Sequence, residues 1–206
     1  AYVYVKLAAL KQIIMGVDDL RKIKSLSDLE SLTSFTARFF PGFNPTDKSV
    51  AGFEKMLWEI YFQLIEKILV ASPEPMQIFL KNILVKHEIA LIKTIVFGEI
   101  TKIPIDNLFA ELSFKPTEIL EHTIMIKALI KSKNVDEIRK ILQHSLYGKA
   151  FEEGFLQFKK SNETFYLGQS FDKVFYDNML KSIEFYPEPE RRSEERRVGK
   201  ECRSRW

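Results

Sequence analysis

Two histidines and the acidic residues beside them are the first candidates for chemistry. His87-Glu88 opens the pattern of helical zinc proteases, in which a second histidine one turn further along completes the metal site. That position holds Leu91, so the helix has no two-histidine face for zinc. We therefore interpret His87 as an ordinary residue at a helix surface or junction.

A second cluster comprises Glu118, Glu121 and His122, which the sequence places on one helix. A di-metal helical bundle needs a glutamate followed by a histidine at the i, i+3 spacing, and Glu118 meets Glu121 there instead. We interpret this cluster as a solvated face. His144 lies near a predicted helix end, where a cation interacts favourably with the helix dipole. The sequence therefore assigns no catalytic, metal-binding or cofactor-binding residue.

Phosphate binding has little support either. The seven glycines before residue 192 stand singly, so no glycine-rich loop can turn several backbone N–H groups toward a phosphate. We predict no nucleotide site of the P-loop type. Lys81, Lys86 and Lys93 are spaced to form a local basic strip, although a solvated helix face is the preferred interpretation.

The composition changes abruptly at residues 192–206, which look like the in-frame translation of a sequencing adapter. We predict that this tail is not native and exclude it from reasoning about the fold. The tail holds six of the 31 basic and three of the 28 acidic residues, which leaves 25 of each in residues 1–191. The remaining chain is neutral, so its charge does not support nucleic-acid binding.

The natural part of the chain lacks cysteine, because Cys202 lies in the tail. A disulfide framework is thereby excluded, and an intracellular compartment is favoured. No stretch reaches the roughly 20 consecutive apolar residues of a membrane span. The chain begins without methionine and reaches the tail through a polar linker, residues 186–191, so we interpret it as a gene fragment open at both ends.

The apolar pattern is helical almost throughout and predicts an all-α fold. One wide stripe begins near Thr46 or Asp47 and stops at Ser72-Pro73, and a second continues from there to Gly98. We predict two helices of about twenty residues joined by a proline turn, which form an antiparallel hairpin over residues 46–98.

Shorter helices flank this predicted hairpin. Their expected caps are Asp18 or Asp19, the Ser27-Asp28-Leu29-Glu30 capping box, Thr117 and Asp136. We divide the chain into a first helical unit at residues 1–112, an incomplete second unit at 113–185, the linker and the tail. A faint repeat relates residues 25–32 to 134–141, although any capped amphipathic helix can give such a match, so alone it does not establish two related units.

The order of these features resembles one protein family. The resemblance rests on Tyr2-x-Tyr4-x-Lys6-Leu7, Leu29-Glu30-x-Leu32, the Ser72-Pro73 turn, Phe79-Leu80-x-x-Ile83-Leu84-x-Lys86-His87-Glu88-Ile89-x-x-Ile92-Lys93, Asp136-Glu137-Ile138-x-x-Ile141-Leu142 with Tyr147, and Phe171-Asp172-Lys173-Val174-Phe175-Tyr176. Together they resemble the C subunit of the archaeal-type (A-type) ATPase or ATP synthase, whose counterpart in the eukaryotic vacuolar (V-type) proton pump is the d subunit.

The resemblance implies a funnel of three helical units about a pseudo-threefold axis, of which this chain contains about two. It also implies a non-catalytic connector without a cofactor, at the cytoplasmic face of the membrane. Its partners would be the rotor ring of c/K subunits and the D and F subunits of the central shaft, and it would couple ATP hydrolysis or synthesis to ion transport. The sequence does not identify the residues of either interface.

Two other classes of function stay open. A helical scaffold that binds a partner helix or peptide in a groove would have similar packing. Such a scaffold typically repeats every 34 to 47 residues or so, whereas the faint repeat here recurs 109 positions apart. An enzyme would require chemical groups from a missing C-terminal portion.

Overall fold

The computed structural model describes residues 15–102 and 112–184. Within these ranges the chain is helical and contains no strand, which confirms the all-α prediction. The helices, numbered here in chain order, are α1 (Val17–Ser25), α2 (Leu29–Ala37), α3 (Val50–Ala71), α4 (Glu74–Thr101), α5 (Lys115–Ile119), α6 (Thr123–Lys131), α7 (Val135–Leu142), α8 (Gly148–Ser161) and α9 (Thr164–Ile183).

The chain divides into two compact units. Among the described residues, unit 1 comprises residues 15–72 with 112–115, and unit 2 comprises residues 73–102 with 116–184. The two long helices that the sequence predicts are present, but α3 belongs to unit 1 and α4 to unit 2. Their antiparallel pairing and the funnel therefore stay predictions, as do the domain boundaries drawn from the sequence.

The ends of α3 and α4 follow from local chemistry. α3 begins at Val50, later than predicted, because Ser49 accepts the Gly52 N–H at 3.1 Å and serves as the N-cap. Asp47 instead accepts the backbone N–H of Ser49 at 3.1 Å. The stop at Ser72-Pro73 is confirmed, and Pro75 lies in the first turn of α4, where a missing N–H is harmless.

Three expected caps of the shorter helices lie elsewhere. α1 begins at Val17, and Asp19 in its first turn accepts the Gly16 N–H at 3.0 Å. Asp28 rather than Ser27 caps α2, because its carboxylate accepts the Ser31 N–H at 2.7 Å. Asn134 rather than Asp136 caps α7, accepting the Glu137 N–H at 2.9 Å.

Thr117 does not cap a helix, because it is buried inside α5. The start of α5 is supported instead by Ser113, whose hydroxyl oxygen accepts the Lys115 N–H at 3.2 Å. The faint repeat also loses its matched caps. In one copy the cap lies one residue after the aligned position, at Asp28, and in the other two residues before it, at Asn134.

Unit 1 has a small aromatic and aliphatic core. Phe43 and Phe53 are buried and meet edge to face with ring centroids 5.0 Å apart. Phe62 and Leu69 are buried on the same helix as Phe53. The Nζ of Lys115 lies 3.2 Å from the carboxylate of Glu66 on α3.

Unit 2 is built around α4, which packs against α6, α7 and α9. α9 also packs along α8. Because α4 has neighbours on several sides, apolar residues are buried all round it rather than along one stripe. The buried core of unit 2 includes Leu84, Ile89, Ile92, Ile95, Ile126, Leu129, Ile138, Leu142, Phe151, Leu167 and Phe171.

Candidate functional site

A buried carboxylate lies at the centre of unit 2. Glu88 of α4 is wholly inaccessible to solvent. Its Oε2 accepts a hydrogen bond from the hydroxyl of Tyr147 and lies 2.8 Å from Nδ1 of His122. Its Oε1 is also buried and has no hydrogen-bond partner within the described ranges. We call Glu88, His122 and Tyr147 the buried triad.

Local backbone geometry places the histidine of the triad. α5 ends at Ile119, and Glu121 takes the left-handed conformation with φ 64°. The His122 N–H donates to the Thr117 carbonyl at 2.8 Å, which closes the end of α5 as a left-handed cap does. His122 then precedes the first residue of α6, and its ring lies beside α4.

Tyr147 occupies the short link between α7 and α8. Its backbone N–H donates to the Ser145 hydroxyl oxygen at 3.1 Å, and its side chain is fully buried. A buried tyrosine hydroxyl normally needs a partner, and the Glu88 carboxylate provides one. The triad therefore joins α4, the α5–α6 turn and the start of α8.

The sequence interpretation of the second acidic cluster is partly wrong. Glu118 and Glu121 are exposed, as a solvated face requires, but the three residues do not share a helix. The left-handed backbone conformation of Glu121 prevents α5 from continuing and brings His122 beside Glu88. The apolar pattern could not reveal this turn, because glutamate at position 121 is compatible with a continuous helix.

The electrostatics of the triad favour a protonated histidine. The hydrogen bond to Glu88 raises the pKa of His122, burial opposes this shift, and the negative charges of Glu88 and Glu121 add to it. Burial raises the pKa of Tyr147 far above its ordinary value, with further contributions from the charge of Glu88 and the bond to it. Tyr147 therefore stays a hydrogen-bond donor at neutral pH.

His87, the neighbour of Glu88 on α4, behaves in the opposite way. It is half-buried, as expected for a helix junction, and burial together with the charge of Lys86 lowers its pKa to about 4. His87 is therefore neutral at pH 7. His144 is exposed near the end of α7, with its Nε2 2.8 Å from the amide nitrogen of Gln143.

The triad alone does not form a metal or nucleophilic centre. In the parts of the chain that the structure describes, no three His, Cys, Asp or Glu residues are grouped to hold a metal ion. A glutamate–histidine pair orients a general base in hydrolases, yet that chemistry needs a nucleophile bonded to the other ring nitrogen. Across residues 15–102 and 112–184, the side chain of His122 is bonded to Glu88 and to no hydroxyl. The arrangement is suited to holding helices together.

Unit 2 also has an open groove where α4 meets α9, with a volume of about 760 Å³. Phe97 and the exposed Phe165 contribute its apolar lining. The Nζ of Lys93 lies 2.6 Å from Asp172 at its edge. The ammonium of Lys86 lies over the ring of Phe175, 5.8 Å from its centroid.

The lysines of α4 therefore do not form the basic strip considered from their spacing. Lys93 is paired and only 22% exposed at its side chain, and Lys86 contacts an aromatic ring of α9. The preferred interpretation as a solvated face holds for Lys81, which is exposed, but not for the other two. The sequence does not show this because it does not reveal which helix packs beside α4.

The sequence contains one signal of the buried triad, which reasoning from motifs missed. Glu88 is an acid in the middle of an apolar stretch of sequence, with Leu84, Val85, Leu91 and Ile92 buried at neighbouring helical positions. A buried acid at such a position destabilises the protein unless it forms hydrogen bonds or an ion pair in the interior. Its partners come from residues 34 and 59 positions away, which no local pattern identifies.

No helix among the described residues is long and apolar enough to cross a membrane. The described residues form helices only, and in unit 2 buried polar bonds fasten α4 to two other segments. A sequence model of the ATP synthase (C/AC39) subunit matches residues 19–196, and the chain therefore belongs to this family of V/A-type ATPase subunits. The match confirms the resemblance seen in the sequence. Neither the curated proteins nor the solved structures include a significant match.

Proposed function

We propose that the chain is part of the central-stalk connector of a rotary A/V-type ATPase. In this role it seats the central shaft, made of the D and F subunits, on the membrane rotor ring of c/K subunits. It couples ATP hydrolysis or synthesis to ion transport without performing chemistry itself. The observation that carries the proposal is the family match over residues 19–196, which includes described residues of both units.

The architecture within each unit supports a mechanical role. Long helices such as α3 and α4 satisfy their backbone hydrogen bonds internally, and close packing of side chains resists deformation. In unit 2, α4 is held on several sides, and the buried triad fixes it to two other segments. A connector that transmits torque needs such stiffness.

A binding experiment with purified partners tests the proposal. The full chain is mixed with the D and F shaft subunits encoded in the same genome and, separately, with the detergent-solubilised rotor ring. We expect a complex with the shaft, a complex with the ring, and one ternary assembly by size-exclusion chromatography with light scattering. The chain alone is expected to hydrolyse no ATP.

The outcomes separate the competing functions. Failure to bind either the shaft or the ring, with the chain shown to be folded by circular dichroism, contradicts the connector role. Binding of a helical peptide with no affinity for shaft or ring favours the helical scaffold. ATP hydrolysis by the chain alone contradicts the non-catalytic part of the proposal.

A further inference from the structure

The buried triad combines a carboxylate that solvent cannot reach with a histidine that solvent can reach. Glu88 is 0% exposed, whereas the side chain of His122 is 33% exposed. One oxygen of Glu88 takes both hydrogen bonds, and the other has no partner among the described residues. A buried carboxylate bonded in this way depends strongly on a neighbouring positive charge. Histidine is the residue whose charge changes near neutral pH.

The bonds of the triad are also long-range in sequence. They connect α4 to residues 34 and 59 positions away, in the α5–α6 turn and at the start of α8. Weakening the charge at His122 therefore acts on contacts between segments rather than within one helix. The bond between Glu88 and His122 thus connects segments that are distant in sequence, and one of its two partners is a histidine that solvent can reach.

The other charged groups on the surrounding elements do not take over this role. Glu88 and Glu121 are the charges that act on His122. Other charged groups on these elements are exposed, namely Glu118 on α5 and Lys127 and Lys131 on α6. Lys86 on α4 lies over the ring of Phe175 on α9. Further charged groups form ion pairs of their own: Arg139 on α7 with Asp136 and Glu152, Lys93 on α4 with Asp172 on α9, Lys173 with Asp177, and Lys149 with Glu153 on α8.

We propose that Glu88, His122 and Tyr147 form a pH-sensitive latch, which fastens α4 to the α5–α6 turn when His122 is protonated and loosens when His122 loses its proton. Tyr147 holds the carboxylate in both states, because its hydroxyl stays protonated throughout this range. His122 is the residue of the latch whose protonation changes. The latch lies within unit 2 and does not depend on the stalk role.

The sign of the effect follows from the raised pKa of His122. A histidine whose folded-state pKa exceeds its unfolded value binds its proton more tightly in the folded protein. Its contribution to stability is complete below the unfolded pKa of about 6.5 and is lost as the pH rises through the higher folded value. His87 acts in the opposite direction and below about pH 6.5, because its pKa is lowered to about 4. Above pH 6.5, the change of stability with pH therefore reports on His122 and not on His87.

The decisive measurement is a histidine titration of the full wild-type chain by NMR. The chain has three histidines, so single substitutions of His87 and His144 assign the signals. We expect the His122 pKa above the ordinary histidine value of about 6.5. We also expect the urea midpoint of unfolding, followed by helical circular dichroism, to fall as the pH rises from about 6.5 to about 8.5.

Two variants separate the latch from a general pH effect. In His122→Asn the side-chain amide keeps a donor toward Glu88 but carries no charge, so the fall in the urea midpoint above pH 6.5 should disappear. The control, His144→Gln, replaces an exposed histidine and should keep the wild-type slope. Glu88→Gln removes the partner charge and should bring the His122 pKa back to or below its ordinary value.

These readouts leave the proposal open to contradiction even if one variant fails to fold. A wild-type His122 pKa at or below about 6.5 overturns the latch without any variant. So does an alkaline slope in His122→Asn equal to that of the wild type. An elevated pKa with a slope that vanishes only in the His122 and Glu88 variants supports it.

Discussion

At Glu88, burial destabilises the charged carboxylate, whereas hydrogen bonding stabilises it. Removing a buried charge from water costs several kcal/mol even after relaxation, and only good hydrogen bonds offset that cost. Glu88 has two such bonds, both at Oε2, and none at Oε1 among the described residues. Each donor is therefore worth more here than at a surface.

We predict that Tyr147→Phe destabilises unit 2 by about 1–3 kcal/mol, because it removes one donor from a buried carboxylate. The ring remains, so loss of packing contributes little. The matched control is Tyr166→Phe on α9, where the tyrosine is 38% exposed and keeps its ring contact with Phe165. Urea unfolding followed by circular dichroism measures both, and equal small effects would contradict the role given to the Tyr147 hydroxyl.

His87 gives a second prediction, on the acid side of neutrality. Its pKa of about 4 in the folded chain means that the unfolded chain binds the proton first as the pH falls below about 6.5. Stability should therefore decline from about pH 6.5 toward about pH 4, and His87→Gln should reduce that decline. His144→Gln is the control, because this histidine is exposed. If the decline of stability below pH 6.5 is unchanged in His87→Gln, other groups cause that decline.

At the scale of helices, the contact between α8 and α9 depends on one glycine. A Cβ built on Gly154 would lie 2.8 Å from the Cα of Leu167. Real Cβ atoms do not approach backbone atoms so closely, so any larger residue forces the two helices apart. The short turn through Asn162, in the left-handed conformation with φ 59°, brings the chain from α8 into α9.

We predict that Gly154→Ala destabilises unit 2 by about 1–3 kcal/mol, despite the better helix propensity of alanine. Gly168→Ala on the facing helix is the control. The nearest neighbours of its new methyl group would be side-chain atoms rather than backbone, the Cζ of Phe97 at 3.3 Å and the Cε of Lys93 at 3.8 Å, so a smaller adjustment suffices. A Gly168 variant that loses more stability than the Gly154 variant would contradict this account of the contact.

The sequence predicted which segments are helical more accurately than it predicted where each helix begins. The apolar stripes of α3, α4 and α9 have the helical period over many turns, which few other structures share. Caps depend on a single side chain reaching a backbone N–H, and several residues near each start can do so. The observed caps, Asp28 and Asn134, thus lie only one and two residues from the expected ones.

The candidate site was less predictable, because its parts come from three separate segments. The family resemblance depended on the order of helices and was confirmed by the match over residues 19–196. The triad depends on a left-handed residue at Glu121 and on the burial of Tyr147, neither of which has a local pattern. The sequence signal of the triad was Glu88, an acid inside an apolar stretch.

For the molecule as a whole, the change of composition at residue 192 leads to a prediction about which part of the chain folds. The adapter-like tail, residues 192–206, lies outside the described residues. We predict that a chain ending at residue 191 keeps the helicity and the urea midpoint of the full chain, because a translated adapter was not selected to pack.

A shorter truncation is the matched control for this experiment. A chain ending at residue 178 also loses the buried Met179, Ser182 and Ile183 of α9. Removing large buried side chains costs about 2–5 kcal/mol each, so this chain should unfold at clearly lower urea. If the chain ending at residue 191 is destabilised to a similar extent, the tail packs against the protein and the adapter interpretation is wrong. If only the shorter chain is destabilised, the folded protein ends before the tail.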